Sequence, residues 1–204
     1  MNLLAKGAEA EVYLAKYWGC KAVYKVRKPK AYRHPKLDLR LRYERTRNEF
    51  NNMLRAYKEG MNVPTPYDVD YNEYSIVMEY IEGTPLSEKV EAWAIEEAGR
   101  QLAILHSADI AHWDYTTANL IIKGRKLFII DFGLSRKTKS DIEKAIDAHL
   151  MIRSFLSAHP GREDLVDRFW KGYSEFGEAE KMRELTKQIE LLGRYVKERR
   201  KTVW

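Results

Sequence analysis

The chain has 204 residues, 45% of them hydrophobic, with a formal net charge of +6 and one cysteine, Cys20. That is enough apolar material for a real core in one domain or a compact pair of lobes, which excludes a disordered chain. A lone cysteine excludes an internal disulfide and a cysteine-rich zinc site, nowhere do 18 apolar residues run together, and charge rather than a signal-peptide core follows Met1-Asn2-Leu3-Leu4, so a soluble cytoplasmic protein is expected.

The basic excess is local. Between Lys21 and Arg47 eleven Lys or Arg stand against only Asp38 and Glu44, and the remainder of the chain is slightly acidic. Counterion release makes RNA or an acidic protein a natural partner for such a segment. A solvated charged surface accounts for the charge equally well.

Leu3-Leu4-Ala5 and Glu11-Val12-Tyr13-Leu14-Ala15 read as two strands joined through Lys6-Gly7-Ala8-Glu9-Ala10. Small residues keep that loop's backbone open, so its N–H groups can approach phosphates, although a plain β-turn explains Gly7 and Ala8 as well. After the Trp18-Gly19 turn, Lys21 to Val26 reads as a third strand in which Lys25 has apolar or aromatic neighbours and, unless it and Glu49 are simply surface charges, as local sequence alone would favour, needs a carboxylate partner. The following helix offers Glu49, one turn before Met53 at the edge of the Phe50, Met53, Leu54 and Tyr57 face; Gly60 ends that helix. The prolines of Lys28 to Asp38 predict an extended or turning connection, and His34, with no second histidine or cysteine nearby, reads as structural.

Val63-Pro64-Thr65-Pro66 is a stiff connection, and Tyr74 to Ile81 reads as a strand leaving for a linker at Glu82-Gly83-Thr84-Pro85. This predicts a lobe boundary between residues 81 and 82. Ile95, Ala98, Leu102 and Leu105 mark an amphipathic helix running into the loop His112-Trp113-Asp114-Tyr115-Thr116-Thr117-Ala118-Asn119. Leu120-Ile121-Ile122 and Leu127-Phe128-Ile129-Ile130 form a hairpin around Lys123 to Lys126, which delivers Asp131-Phe132-Gly133 at its end. Singly, an Asp, an Asn and an Asp-Phe-Gly turn are ordinary loop residues. In this order, with the strand between, they suit phosphoryl transfer: Asp114 to take or orient a proton, Asn119 and Asp131 as oxygen ligands for a hard cation. Beyond Gly133, helices are predicted from Asp141 to Ser157, from Arg162 to Phe176 and from Glu178 to about Arg200, followed by a basic tail ending Thr202-Val203-Trp204.

The small-residue loop, Lys25, Glu49, the Met78-Glu79-Tyr80 linker, the Asp114 to Asn119 loop and Asp131-Phe132-Gly133 together resemble the protein-kinase fold over the entire chain. Five segments narrow the resemblance: Lys30-Ala31-Tyr32-Arg33-His34-Pro35-Lys36-Leu37-Asp38, Glu44-Arg45-Thr46-Arg47-Asn48-Glu49, Asp114-Tyr115-Thr116-Thr117-Ala118-Asn119, Lys144-Ala145-Ile146-Asp147 and Gly172-Tyr173. They are similar to the small atypical kinase and ATPase subunit of the KEOPS complex, which serves threonylcarbamoyl-adenosine modification of tRNA and whose members also phosphorylate serine or threonine. The resemblance implies an α+β, minimal bilobal kinase-like fold, with an antiparallel N-lobe sheet and one main helix in residues 1–81 and a reduced, mostly helical C-lobe in residues 82–204.

It also implies ATP and Mg²⁺ as cofactors and a set of site residues. Asp114 would be the catalytic base; Gly7, Ala8, Lys25, Glu49, Glu79 (through its carbonyl) and Ile81 (through its amide) would bind ATP; Asn119 and Asp131 would bind metal. The implied partners are a threonylcarbamoyl-transferase subunit, a small regulatory subunit, and tRNA through segment 21–47 and the C-terminal tail. Three departures stand out. Trp113 replaces a common glycine, Thr116 stands where ordinary protein kinases have a lysine, and neither an Arg before Asp114 nor an Ala-Pro-Glu after Gly133 is present. ATP hydrolysis is therefore at least as well supported as peptide phosphorylation. The competing readings are a catalytically idle scaffold binding tRNA and partner subunits, and a small-molecule kinase of the aminoglycoside or choline type; the Asp-Phe-Gly and the short C-terminal part oppose the latter.

Overall fold

The computed structural model describes the backbone of residues 1–7 and 9–201 and the side chains of residues 1–7 and 9–192. Five strands, β1 (Asn2–Lys6), β2 (Glu11–Tyr17), β3 (Cys20–Val26), β4 (Pro66–Asp70) and β5 (Ser75–Glu79), form an antiparallel sheet in the order β1-β2-β3-β5-β4. Trp18 and Gly19, at φ 50° and 84°, make the two-residue turn between β2 and β3, a geometry that matches the twist of paired strands. The turn sets the register Val12 to Lys25 and Leu14 to Val23. Opposed residues share a face, so Val12, Val23 and Lys25 lie on the inner side with Ile76 and Met78 of β5.

Met53 and Ala56 of helix α1 (Pro35–Lys58) are buried with Ile76 and Met78. The helix is longer than its sequence suggests, because its start was expected to be part of an extended connection. Proline is tolerated at the first helical position, where its missing N–H has no intrahelical partner, so Pro35 begins the helix. The C-terminus is as expected: Gly60 takes φ 75° and the Met61 N–H returns to the Ala56 carbonyl at 3.2 Å. β4 lies directly after a Pro-rich stretch read as connection. It is an edge strand beginning at Pro66, a place where a residue without a backbone donor does no harm to the ladder.

The rest is mostly helical. β6 (Thr84–Pro85) pairs with the β8 (Leu120–Lys123) and β9 (Lys126–Ile129) hairpin; α2 (Ala92–Ser107) precedes β7 (Ile110–Ala111), which pairs with β10 (Arg136–Lys137). Then follow α3 (Asp141–Ala158), α4 (Val166–Tyr173) and α5 (Ala179–Lys201). α4 is shorter than expected, since residues Glu163–Leu165 form a separate 3₁₀ turn. The expected α+β architecture is what the chain forms.

α2 and α4 pack backbone to backbone. A β-carbon on Gly99 would lie 1.9 Å from the Phe169 carbonyl oxygen, and one on Gly172 would lie 1.8 Å from that of Glu96. Gly172, legible in the sequence only as part of a resemblance, is thus a packing requirement. Gly172→Ala is expected to destabilise the chain by about 3 kcal/mol or more, read as a lowered urea midpoint, because main chain cannot yield as a side chain can.

Candidate active site

β3 brings Lys25 onto the inner face, opposite Glu49 of α1. The Lys25 Nζ donates to Glu49 Oε1 at 2.7 Å and also to Asp131 Oδ1 at 2.6 Å. Burial opposes a charged amine here, but the two carboxylates outweigh it and hold the Lys25 pKa above its ordinary value. Asp131 shows the complementary balance: burial pushes its carboxyl up, while Lys25 and the Gly133 N–H, which donates to Oδ1 at 3.0 Å, bring it below the usual carboxylate value. Asp131 sits at φ 61°. Gly133 follows for a steric reason, since a β-carbon there would meet Asp131 Oδ1 at 2.8 Å.

Asp114 and Asn119 form a second pair. The Asn119 side-chain amide donates to both the main-chain oxygen and Oδ2 of Asp114, each at 2.9 Å, which fixes the orientation of the Asp114 carboxylate. The loop itself hangs from α3. Asp147, fully buried, accepts the backbone N–H groups of His112 and Trp113, each at 2.6 Å. Its Oδ2 also meets His106 Nε2 at 3.2 Å, and the other nitrogen of that ring meets the Tyr173 hydroxyl at 2.8 Å. Trp113 takes φ 62°. That conformation is one that glycine adopts freely and that costs a side chain roughly 1–2 kcal/mol. Arg136 offsets part of this cost, its guanidinium lying 3.7 Å from the Trp113 ring centre.

Burial holds the His106 and His112 pKa values below the usual histidine range, with Asp147 only partly countering it. A depressed folded-state pKa means that the unfolded chain takes up protons first as pH falls through about 6.5. Stability is therefore fully present above that pH and lost below it. Urea midpoints are expected to fall steadily between pH 7.5 and 5.5; a midpoint that rose over this window would contradict neutral, buried rings.

Two adjoining cavities meet at these residues. One, of about 290 Å³, is lined by Lys25, Glu49, Glu79, Ile81 and Asp131 together with an apolar wall that includes Val12, Val23 and Met78. The other, of about 300 Å³, is lined by Gly7, Lys25, Asp114 and Asp131, and by Glu9, Arg27 and Arg45. Lys25 and Asp131 border both. Of the residues singled out from sequence, Asn119 reaches this site through Asp114, and Ala8 lies outside the described residues. Arg27, Glu9 and Arg45 were missed. Arg27 had a signal: it stands two residues after Lys25, hence on the same strand face.

Glu9 anchors the β1–β2 loop. Its carboxylate takes Arg33 at 2.8 Å and Arg45 at 2.5 Å, and Arg33 lies 3.7 Å from buried Asp38, which also pairs with Arg42 at 2.7 Å. Much of the basic segment is thus paired internally: Lys21, Lys25, Arg27, Arg33, Arg40, Arg42 and Arg45 all meet carboxylates. Lys28, Lys36 and Arg47 are exposed. The tail from Lys197 lies outside the described side chains.

The donor set fits magnesium. Among the described residues no cluster of three or more His, Cys, Asp or Glu is arranged to hold a metal. Mg²⁺, however, keeps several waters and takes phosphate oxygens, so one carboxylate and one amide oxygen suffice. The carboxylate of Asp131, whose side chain is 45% exposed, and the amide oxygen of Asn119 would be such a pair.

The RIO domain family matches residues 16–148. The KEOPS complex subunit Bud32 of Pyrococcus abyssi is 39% identical, with 96% of each chain covered. A probable bifunctional tRNA threonylcarbamoyladenosine biosynthesis protein of Methanosarcina mazei is 40% identical over 95% of this chain, which spans 36% of that longer protein. The EKC/KEOPS complex subunit Tp53rkb of Mus musculus is 34% identical over 85% of this chain and 78% of its own. Among solved structures, the Rio2 kinase of Chaetomium thermophilum in its ADP/Mg²⁺-phosphoaspartate complex superposes with a TM-score of 0.63 at 18% identity, covering 89% of this chain and 67% of that one, which establishes the kinase-like fold. With its long matches to Bud32 proteins from archaea and eukaryotes, this chain belongs to the RIO-domain family of atypical kinases.

Proposed function

We propose that this chain is a Mg²⁺-dependent ATPase or Ser/Thr kinase that supports threonylcarbamoyl-adenosine modification of tRNA within a KEOPS-type complex. The observation that carries the reading is the convergence of Lys25, Glu49 and Asp131 through bonds of 2.6–2.7 Å at the junction of two cavities, one apolar and one bordered by Asp114. The adenine ring occupies the apolar cavity, where the Glu79 carbonyl and Ile81 amide read its edge between the lobes of residues 1–81 and 82–204. Lys25, fixed by Glu49, holds the α and β phosphates. Asn119 and Asp131 would hold Mg²⁺, which when bound would supply positive charge to the phosphates. Asp114, oriented by Asn119, accepts the proton of the attacking hydroxyl or water.

The partners in this reading are a threonylcarbamoyl-transferase subunit, a small regulatory subunit and tRNA. The exposed Lys28, Lys36 and Arg47 and the basic tail are the RNA-facing groups. No helix among the described residues is long and apolar enough to cross a membrane, and the proposed place of action is the cytoplasm. The test is ATP turnover by the chain alone and with the transferase subunit and tRNA, measuring free phosphate and phosphoprotein together. Phosphate release well in excess of phosphoprotein is expected. Stoichiometric phosphoprotein would make the kinase activity primary, and no turnover in any mixture would favour the idle scaffold.

A further inference from the structure

Arg27 is 2% exposed, and only one of its nitrogens has a protein partner: Nη2 donates to Glu49 Oε2 at 2.6 Å. Nε and Nη1 are buried without a hydrogen bond. A guanidinium carries five N–H donors and does not lose its charge, so donors left unpaired in a low-dielectric interior are costly unless something else supplies acceptors. Glu49 does not meet that need: its Oε1 is bonded to Lys25, and neither Nε nor Nη1 of Arg27 bonds to either of its oxygens.

Arg27 also borders the cavity shared by Lys25, Arg45, Asp114, Asp131 and Gly133. Gly133 keeps that side open. A β-carbon there would stand 3.4 Å from both Arg27 Nη2 and Lys25 Nζ, covering the two cations. The cavity thus joins the buried Arg27 guanidinium, whose Nη2 lies on the Gly133 side, to the side chain placed as catalytic base, and the ligand chemistry that suits a guanidinium beside a lysine is a tetrahedral oxyanion.

We propose that Arg27 binds a phosphoryl group, either the terminal phosphate of bound ATP or the free phosphate left after cleavage. This rests on the reading of the cleft as an ATP site. Lys25 then serves the inner phosphates and Arg27 the outermost one, so Arg27 discriminates ATP from ADP. A purely structural clamp on Glu49 has a different signature, since it would affect both nucleotides alike through Lys25.

The experiment is equilibrium binding, with Mg²⁺ present, of a non-hydrolysable ATP analogue, of ADP, and of inorganic phosphate added to the ADP complex. It uses the full chain and its Arg27→Gln and Arg27→Lys variants. Arg27→Gln is expected to weaken the ATP analogue about 10- to 100-fold, the range for loss of a charge-assisted bond, while changing ADP less than about threefold. Arg27→Lys is expected to recover part of the loss, and it carries the same comparison if the glutamine variant does not fold. Phosphate binding that depends on Arg27 in the ADP complex places the product there too; its absence, with the analogue effect present, confines Arg27 to the intact nucleotide. Equal losses for both nucleotides, or none, would overturn the assignment and leave the ATP site intact. If the unaltered chain bound neither nucleotide, the ATP reading itself would fall, and this assignment with it.

Discussion

Replacing Asp131 by asparagine is expected to reduce ATP turnover by about 10³-fold or more while the chain remains folded. Asparagine has the same shape, tolerates the φ of 61° found at this position, and retains an oxygen for the Gly133 N–H. It removes the negative charge, and with it the carboxylate that pairs with Lys25 at 2.6 Å and serves as the proposed metal ligand. Loss of one charge-stabilising group commonly costs about 10²–10³ in rate, and here the same group also positions the lysine. Lys25 keeps its bond to Glu49, so thermal unfolding should move far less than activity. A folded Asp131→Asn protein with the original turnover would rule out the mechanism.

The largest effect on stability is expected at Asp147. Its carboxylate holds two main-chain N–H groups of the catalytic loop in a fully buried setting, and Asp147→Ala leaves both without acceptors. Hydrogen bonds to a charged group contribute about 1.5–3 kcal/mol each, so a loss of about 3–5 kcal/mol is predicted, measurable by urea denaturation. Asp147→Asn keeps one acceptor oxygen and should fall between alanine and the original. Turnover should decline with the same ordering, because Asp114 depends on that loop for its position. An alanine variant within 1 kcal/mol of the original would show that the loop is held by something else.

The two predictions concern residues that were unequally legible in the sequence. Asp131 announces itself, since a short apolar run ending in Asp-Phe-Gly is a local pattern. Lys25 and Glu49 are legible at one remove, because a lysine among apolar neighbours requires a partner and the next helix offers one. Asp147 is different. In sequence it stands out only as the end of a segment that carries the family resemblance, with no role attached, because its meaning lies in backbone groups about 35 residues away. Glu9 is similar in this respect, since nothing local marks it until the fold brings it to Arg33 and Arg45, whereas Arg27 carried only its place two residues after Lys25. The basic segment followed the same logic, since composition shows where charge is concentrated but not which carboxylates answer it. Secondary structure was missed where proline was taken as a stop, at the beginning of α1 and ahead of β4, and both positions are ones where proline does no harm.

The Glu9 anchorage has a mechanical consequence. Arg45 lies one helical turn before Glu49 on α1, so Glu9 of the loop that lines the cavity and the carboxylate that steadies Lys25 are mounted on a single lever. A tilt of α1 therefore reaches the proposed nucleotide site twice, through Glu9 and through Glu49. Anything that grips this helix adjusts the loop and the clamp in the same stroke.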